Sequence, residues 1–247
     1  MDWTSLKNSK ELLLGTTNKK KLIEMNAHLE PRGFRLRSLD QMPSTIDVEE
    51  TGESFLENAK LKAVAQAQAH GLWTIGEDSG LCVPVLGGDP GIYSARYSER
   101  PEAGLVPNGN QVSPETTLVD LSVDQRNNRK LLRVLGSTPI ALRQAYYVSA
   151  IVLCDPEGNV AIESIGDCWG RILMEPRGTQ GFGYDPLFEV LEYHSTFAEL
   201  GLGVKRAISH RSRALRAFLR ILDSKMGLSD GQDTSVAEGG VASRSPI

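Results

Sequence analysis

The sequence predicts an α/β fold, in which short strands and amphipathic helices alternate along the chain. An apolar run from Leu12 to Leu14 ends at a glycine, which is typical of a buried strand. The segment after it carries Leu22, Met25 and Leu29 at the spacing of one helical face. A second strand-like run, from Phe34 to Leu39, then follows. Because this strand, helix, strand order is typical of α/β domains, we expect a sheet covered by helices.

The first half of the chain predicts two helices between three strands. The residues Thr16 to Asn18 supply N-cap side chains for the first helix, which Pro31 and Gly33 end. The second helix runs from Ser54 to Ala69 and is closed by a glycine at position 71. A third strand, from Leu72 to Ile75, is short, and the acidic residues after it are expected at its end.

The second half predicts an irregular loop, a helix, a hairpin, a glycine-rich loop and a final amphipathic helix. In chain order these elements cover residues 98–115, 115–135, 146–154 with 160–169, 179–188 and 212–222. We expect one folded domain from residue 11 to residue 226, with the loop at 98–115 as an insertion. Residues 1–10 are expected to be flexible, and residues 227–247, which are poor in large apolar side chains, to be disordered.

Composition excludes several classes of protein. The 27 Lys and Arg residues against 31 Asp and Glu residues give a net charge of -4, which is unfavourable for wrapping nucleic acid. No stretch approaches the ~18 consecutive apolar residues of a membrane span, and the polar start of the chain has no apolar signal segment. Three cysteines without a CxxC pair indicate reduced core residues. We therefore expect a cytoplasmic protein with neither nucleic acid nor membrane as a partner.

The first candidate site is the run from Gly15 to Lys21, at the junction of a strand and a helix. The first turn of a helix exposes backbone N–H groups that suit a phosphate, and the threonine hydroxyls add donors. Lysines at 19, 20 and 21 oppose the helix dipole, which indicates an external anion. Neither a P-loop nor a GxGxxG turn is present. The alternative is a capped helix with a solvated basic face.

The second candidate site is acidic. Asp47, Glu49 and Glu50 form one cluster, and Glu77 and Asp78 form another. Carboxylate oxygens are the ligands that Mg²⁺ prefers, usually with water and substrate phosphates completing the shell. The alternative is a solvated acidic loop. The run around Ser79 lacks the GxSxG pattern, so a serine-hydrolase nucleophile is disfavoured.

Two further segments could contact a nucleotide. In the loop from Gly181 to Pro186, an aromatic ring between glycines could lie against a base, and Asp185 could accept from a base N–H. The basic run from Lys205 to Arg211 could bind phosphate or a keto oxygen. A tight turn with a core phenylalanine and a solvated helix start are the respective alternatives. Together the four segments describe a nucleoside triphosphate hydrolase.

The chain resembles a known family, the inosine/xanthosine triphosphate pyrophosphatases, also called Ham1-like or RdgB-type non-standard purine nucleoside triphosphate pyrophosphatases. The resemblance rests on six blocks in the family's order: residues 16–21, 49–63, 78–81, 87–97, 181–186 and 209–211. It implies an elongated α/β fold with a mixed sheet and a substrate cleft between two lobes. It also implies a homodimer that uses Mg²⁺ to hydrolyse ITP, dITP and XTP to the monophosphate and pyrophosphate, and so clears deaminated purines from the nucleotide pool.

The resemblance also implies roles for individual residues. Asp78 matches the general base and a metal ligand, and Glu49 matches the second metal ligand, with Glu50 as a near alternative. The matching substrate contacts are Thr16, Thr17, Asn18, Lys19, Lys20, Lys21, Ser79, Phe182, Gly183, Tyr184, Asp185, Lys205, His210 and Arg211.

Departures from the family pattern are mild at Thr17, where many relatives have Gly, and at Glu77, where many have Asp. The long loop at 98–115 leaves dimer geometry and cleft access open. Two rival functions also remain open: a Maf-like pyrophosphatase acting on pyrimidine or methylated nucleotides, and a nucleotide-binding sensor without turnover.

Overall fold

The computed structural model describes residues 2–44, 46–101 and 121–227 of the chain. Within them, seven strands form one mixed sheet in the order β2-β1-β3-β4-β5-β6-β7. These strands are β1 Glu11–Leu14, β2 Arg35–Ser38, β3 Thr74–Cys82, β4 Gln144–Cys154, β5 Val160–Ile172, β6 Phe188–Val190 and β7 Ser195–Thr196. Strand β1 pairs in parallel with β2 and β3, and every later pair is antiparallel. The predicted α/β fold with a mixed sheet is confirmed.

Six α-helices cover this sheet in the described part of the chain. They are α1 Thr4–Ser9, α2 Lys19–Leu29, α3 Phe55–His70, α4 Val123–Leu135, α5 Phe197–Ile208 and α6 His210–Met226. Local capping explains where most of them begin. The Asn18 side chain accepts from two backbone N–H groups at the start of α2, and Ser54 accepts from one in α3. Capping boxes at Ser122 and Thr196 begin α4 and α5.

Two lobes share the long hairpin of β4 and β5. At one end, Ile151 and Leu153 of β4 join a core formed largely by α2, α6 and the parallel strands. At the other end, Ala145 and Tyr147 of the same strand join a second core with α4 and the start of α5. Helix α3 packs on the middle of the sheet through small side chains such as Ala59 and Ala63. Residues in the middle of β3 and β4 therefore lie between the two lobes.

Strand β3 is longer than predicted. It continues past Ile75 to Cys82, so that Glu77 and Asp78 lie within the strand and not after it. Polar and glycine residues have low strand propensity, which favoured a turn here. The strand persists because every residue of β3 pairs with β4, including Glu77 with Ile151 and Asp78 with Ala150.

Two further helices depart from the predictions. The segment 1–10, expected to be flexible, contains α1, because Leu6 is fully buried and Trp3 stacks on Trp73 with 4.8 Å between ring centroids. Helix α5 was not predicted because Gly201 and Gly203 interrupt its helical pattern, and Gly201 has a φ of 75°. Residues 102–115 of the predicted insertion and 228–247 of the predicted tail lie outside the described residues.

The prediction that the three cysteines are reduced core residues is confirmed. Cys82, Cys154 and Cys168 are free and buried. Burial, the main cause, raises the pKa of Cys154 to about 12 and that of Cys168 to about 11. Among the described residues, no helix combines the length and the apolarity that crossing a membrane requires.

Candidate active site

The start of α2 carries the predicted phosphate-binding segment. The turn between β1 and α2 is held by its own side chains, since the Thr16 hydroxyl accepts from the backbone N–H of Asn18. Lys19 and Lys20 are exposed, whereas Lys21 turns inward and places its Nζ 2.6 Å from Glu77 Oε2. Part of the positive charge at this helix start is therefore balanced by a carboxylate of the protein itself.

Asp78 lies beside a buried ammonium group. The Nζ atom of Lys62, on α3, is 3.0 Å from Asp78 Oδ1 and 3.1 Å from Glu50 Oε1. Burial, the largest influence, raises the pKa of Asp78, although Lys62 and Lys21 oppose the rise. The other carboxylate oxygen, Oδ2, is buried and has no hydrogen-bond partner among the described residues. Asp78 thus combines a raised basicity with an unused oxygen.

Glu77, next to Asp78, points to the opposite face of the strand, where two cations form ion pairs with it. Its Oε1 accepts from Arg211 Nε at 3.1 Å and from the Ser149 hydroxyl at 2.9 Å. Burial opposes the ionisation of Glu77, but the charges of Arg211 and Lys21 outweigh it and hold its pKa well below the usual range. The two neighbouring carboxylates therefore differ, since one is held ionised in ion pairs and the other is shifted toward proton uptake.

A series of ion pairs joins the segments that the sequence analysis had treated separately. From Glu77 it passes through Arg211 to Glu24 of α2, and from Glu24 to Lys205 Nζ at 3.7 Å. Lys205 Nζ lies 2.6 Å from Asp185 Oδ2. Arg211 Nη2 also donates to Ser79 Oγ at 3.0 Å. The structure therefore brings the start of α2, the middle of β3, the start of α6 and the 181–186 loop together.

The loop at 181–186 surrounds its own aspartate. Asp185 Oδ2 accepts from the backbone N–H of Phe182 at 2.9 Å, and Gly181 has a φ of 80°, which suits glycine in this tight turn. The Phe182 ring has Lys205 Nζ 4.2 Å and Lys20 Nζ 4.9 Å from its centroid. Tyr184 points into the core and donates to the Ser94 carbonyl, so its side chain has a packing role.

His210 is buried at the first turn of α6. Its ring stacks on Tyr147 with 4.6 Å between centroids, and its Nδ1 atom has no hydrogen-bond partner in the described parts of the chain. Burial first, and then the positive charges of Arg211 and Lys205, lower the pKa of His210 well below its usual value. His210 is therefore a buried imidazole whose neutral form is favoured and whose Nδ1 atom is unpaired.

The sequence profile of the Ham1 family matches residues 12–221, which contain every residue described above. The chain belongs to the Ham1 family. A dITP/XTP pyrophosphatase of Rhodopirellula baltica is 46% identical over 209 residues, covering 85% of this chain and 91% of the relative. A dITP/XTP pyrophosphatase of Geobacter sulfurreducens is 45% identical over 204 residues, which cover 83% of this chain and 92% of the relative. The solved structure of a HAM1 protein from Coxiella burnetii shares 33% identity at a TM-score of 0.71, and the match covers 87% of this chain and 98% of that one.

The donor set of this Ham1 family chain fits a hard divalent cation. Asp78 offers a buried, unpartnered carboxylate oxygen, and an ammonium group already lies between Asp78 and Glu50. Among the described residues, no group of three or more His, Cys, Asp or Glu side chains could hold a metal. Two carboxylates completed by water and substrate phosphate are nevertheless the usual protein ligands of Mg²⁺.

Some predicted residues of this family site remain apart from it. Glu49 has an exposed side chain, and the described contacts do not join it to Asp78, whereas Glu50 reaches Asp78 through Lys62. Thr17 and Lys19 are exposed as well, and no described side-chain contact connects them with the ion pairs. Their substrate-binding roles stay predictions.

Two residues that the sequence analysis had not singled out lie at the centre of the site. Lys62 lies within the family block at 49–63, and Glu24 lies outside all six blocks. Glu24 lies one helical turn after Lys21, on the same helix as the phosphate-binding segment. That spacing was a usable signal, because a carboxylate there faces the same side of the helix as the lysine. No sequence signal could have shown which carboxylates Lys62 would join.

Proposed function

We propose that this protein is a nucleoside triphosphate pyrophosphohydrolase that converts ITP, dITP and XTP to the monophosphate and pyrophosphate. The observation that carries the proposal is Asp78. It is a buried carboxylate of raised pKa with an unpartnered oxygen, and the charge of Lys21, at the cationic start of α2, acts on its pKa. The relatives in Rhodopirellula and Geobacter are dITP/XTP pyrophosphatases, which supports dITP and XTP as substrates here. Such an enzyme removes deaminated purines from the nucleotide pool.

The proposed reaction is attack of water on the α-phosphorus. The water oxygen forms a bond to phosphorus while the bond from the α-phosphorus to the oxygen bridging to the β-phosphorus breaks, and pyrophosphate leaves. Asp78 takes the proton from the water, which its raised pKa favours. Lys21 and the positive end of the α2 helix dipole neutralise the phosphate oxygens.

Asp78, with Glu49 or Glu50, would hold the Mg²⁺ ion that the family resemblance implies. Bound there, Mg²⁺ would supply charge neutralisation of the phosphates and a lowered pKa of coordinated water. The contact through Lys62 favours Glu50 over Glu49 as the second carboxylate.

We propose that the enzyme selects the purine base through side-chain donors that bind a keto oxygen. His210 is held neutral and has a free ring nitrogen, and Arg211 is fixed beside it by Glu77 and Ser79. An oxygen at purine C6 accepts from such donors, whereas the amino group of adenine would leave them unpaired. An unpaired buried donor is a strong basis for rejecting ATP.

A substrate panel tests this function. Purified protein is incubated with Mg²⁺ and, separately, ITP, dITP, XTP, GTP and ATP, and the products are resolved as pyrophosphate or orthophosphate. We expect pyrophosphate from the first three, and little turnover of ATP, whose amino group at C6 would leave the donors unpaired. Orthophosphate as the product, or a preference for pyrimidine or methylated nucleotides, would contradict the proposal.

A pair of variants makes the test specific to the site. Asp78→Asn should abolish turnover while nucleotide binding, measured by calorimetry, stays detectable. Asp223→Asn is the matched control, because Asp223 pairs with Arg32 away from this site, and it should keep normal turnover. Near-normal turnover by Asp78→Asn would refute the assignment. Binding without Mg²⁺-dependent turnover by the unchanged protein would instead favour a sensor.

We also propose, from the family resemblance, that the protein is a homodimer in the cytoplasm. Light scattering coupled to size-exclusion chromatography should give about twice the chain mass of 27.0 kDa. A mass equal to that of one chain would contradict the dimer. Microscopy of a fluorescent fusion tests the location, and a signal confined to a membrane would contradict it.

A further inference from the structure

Helix α4 holds the tip of the 181–186 loop by both backbone polar groups of Gly183. The backbone N–H of Gly183 donates to Asp124 Oδ2 at 2.9 Å. Its carbonyl accepts from Asn128 Nδ2 at 3.0 Å. Asp124 and Asn128 are four residues apart on α4, so they lie on the same face of the helix. Gly183 has a φ of 61°, so these two contacts fix the residue in a conformation that glycine adopts most readily.

The same aspartate faces the phosphate-binding end of α2. Lys20 Nζ lies 4.0 Å from Asp124 Oδ2 and 4.9 Å from the centroid of the Phe182 ring. Asp124 therefore contacts the loop expected to meet the base and the helix start expected to meet the phosphates. These two segments belong to different lobes, so Asp124 links the two lobes.

Neither side chain is required to begin or bury α4. The N-terminal cap of α4 is the Ser122–Gln125 capping box, which involves neither Asp124 nor Asn128. The Asp124 side chain is 46% exposed, unlike the fully engaged Asn127 beside it, which bonds the Ser94 and Ala95 carbonyls. The contacts of Asp124 and Asn128 are thus directed to the loop and to Lys20, and not to the core.

We propose that Asp124 and Asn128 are positioning residues that fix the 181–186 loop and thereby set the choice of purine base. The inference rests on the proposed function, because it concerns the base of the same substrates. Neither residue touches the reacting atoms. They act through Gly183, whose displacement would move Phe182 on one side and Asp185 on the other.

The test compares base discrimination in three variants. Asp124→Ala removes the acceptor for Gly183, and Asn128→Leu removes the donor. Asp124→Asn keeps a side-chain oxygen for Gly183 but weakens the attraction to Lys20. We expect kcat/KM for ITP to fall about tenfold in Asp124→Ala and in Asn128→Leu, mainly through KM, with kcat/KM for ATP changed less than threefold. Asp124→Asn should retain most of the selectivity. Arg129→Ala, exposed on the same helix, is the control and should behave as the unchanged protein.

A second measurement follows the loop directly. Hydrogen–deuterium exchange of a peptide covering 178–187 should be faster in Asp124→Ala than in the unchanged protein or Arg129→Ala, with no change in the β4–β5 hairpin. Unaltered exchange together with an unaltered ITP to ATP ratio would overturn the inference, and so would a parallel loss on both nucleotides. If the unchanged protein turns over neither nucleotide, the proposed function fails, whereas the exchange result still reports whether α4 holds the loop.

Discussion

The ammonium group of Lys62 lies 3.0 Å from the carboxylate of Asp78 and, at the same time, 3.1 Å from that of Glu50. Lys62 comes from α3, Asp78 from β3, and Glu50 from the segment before α3. Burial opposes the charge of Lys62, but the two carboxylates outweigh it and raise its pKa, so the ammonium form is favoured. One cation therefore holds together the two carboxylates from which a metal site would be built.

Replacing this cation should damage catalysis more than folding. Lys62→Met leaves Asp78 without its ammonium partner and Glu50 with Arg96 alone. We expect kcat to fall about 100-fold or more, as for loss of other preorganised charges. Asp78 can take up a proton in the variant, which limits the loss of stability. Lys62→Arg should restore part of the activity. Steady-state kinetics with ITP provide the measurement, and Lys60→Met, exposed on the same helix, is the control. Equal kinetics for the two methionine variants would disprove this role.

The identity of the second metal carboxylate can be decided by a matched pair of substitutions. Glu50→Gln should raise the Mg²⁺ concentration for half-maximal activity at least about tenfold, because Glu50 adjoins Asp78 through Lys62. Glu49→Gln, at an exposed position, should change it less than about threefold. Activity titrated against Mg²⁺ measures both. An effect confined to Glu49→Gln would restore the assignment made from the sequence.

Gly76 is required by the close approach of α3 to β3. A Cβ atom at this position would lie 2.0 Å from the Ala59 carbonyl oxygen and 2.7 Å from the Ala63 backbone nitrogen. Since backbone atoms cannot move aside cheaply, Gly76→Ala should lower the free energy of unfolding by about 3 kcal/mol, and it should also displace Lys62. Gly203→Ala, in a helix with no neighbour within 4 Å, should be neutral or slightly stabilising. Urea denaturation compares the stability of the two variants. A similar midpoint for both would contradict the prediction, because it would mean that α3 shifts away from the new Cβ atom at little cost.

His210 predicts a loss of stability in mild acid. In the unfolded chain the imidazole titrates near 6.5, whereas burial and the charges of Arg211 and Lys205 lower its pKa well below this in the fold. As the pH falls below 6.5, the unfolded state takes up the proton first. The free energy of unfolding therefore decreases by up to about 1.4 kcal/mol per pH unit, until the lowered pKa of the folded state is reached.

The variant His210→Gln should remove this contribution. Its stability should depend less steeply on pH between 6.5 and 5.5 than that of the unchanged protein, whatever its absolute stability. Part of the dependence should remain, because burial also lowers the pKa of His28. Urea denaturation at a series of pH values measures the slopes, and parallel slopes would contradict the prediction.

The sequence predicted elements that depend on local signals and missed those that depend on distant contacts. The helix from Phe55 to His70 was foreseen almost to the residue, because Ser54 caps it and Gly71 ends it. The second part of β3 was missed because its strand structure comes from pairing with β4, about 70 residues later in the chain. Helix α1 was missed for a similar reason, since burial of Leu6 and the Trp3–Trp73 stack hold it in place.

The candidate site likewise has features that the sequence predicts and features that it does not. The residue types that bind phosphate, cation and base could be recognised from motifs, since each motif is continuous in the sequence. The partners of those residues could not, because the contacts join distant parts of the chain. Arg211 and Glu77, for example, are 134 positions apart, yet Nε and Oε1 lie 3.1 Å from each other. Such distances are set by the packing of α6 against the sheet, and no spacing in the sequence encodes them.

The alternating ion pairs from Lys21 to Asp185 have a consequence for affinity. Lys21, Arg211 and Lys205 alternate with Glu77, Glu24 and Asp185, so each cation is already immobilised by a neighbouring anion. Freezing a long side chain on binding costs about 0.5–1.5 kcal/mol. Three long cationic side chains that are ordered in advance avoid most of that entropic cost when a polyanion arrives. The acidic residues of this site thus hold the cationic side chains in place, and so favour the binding of a ligand that is itself negatively charged.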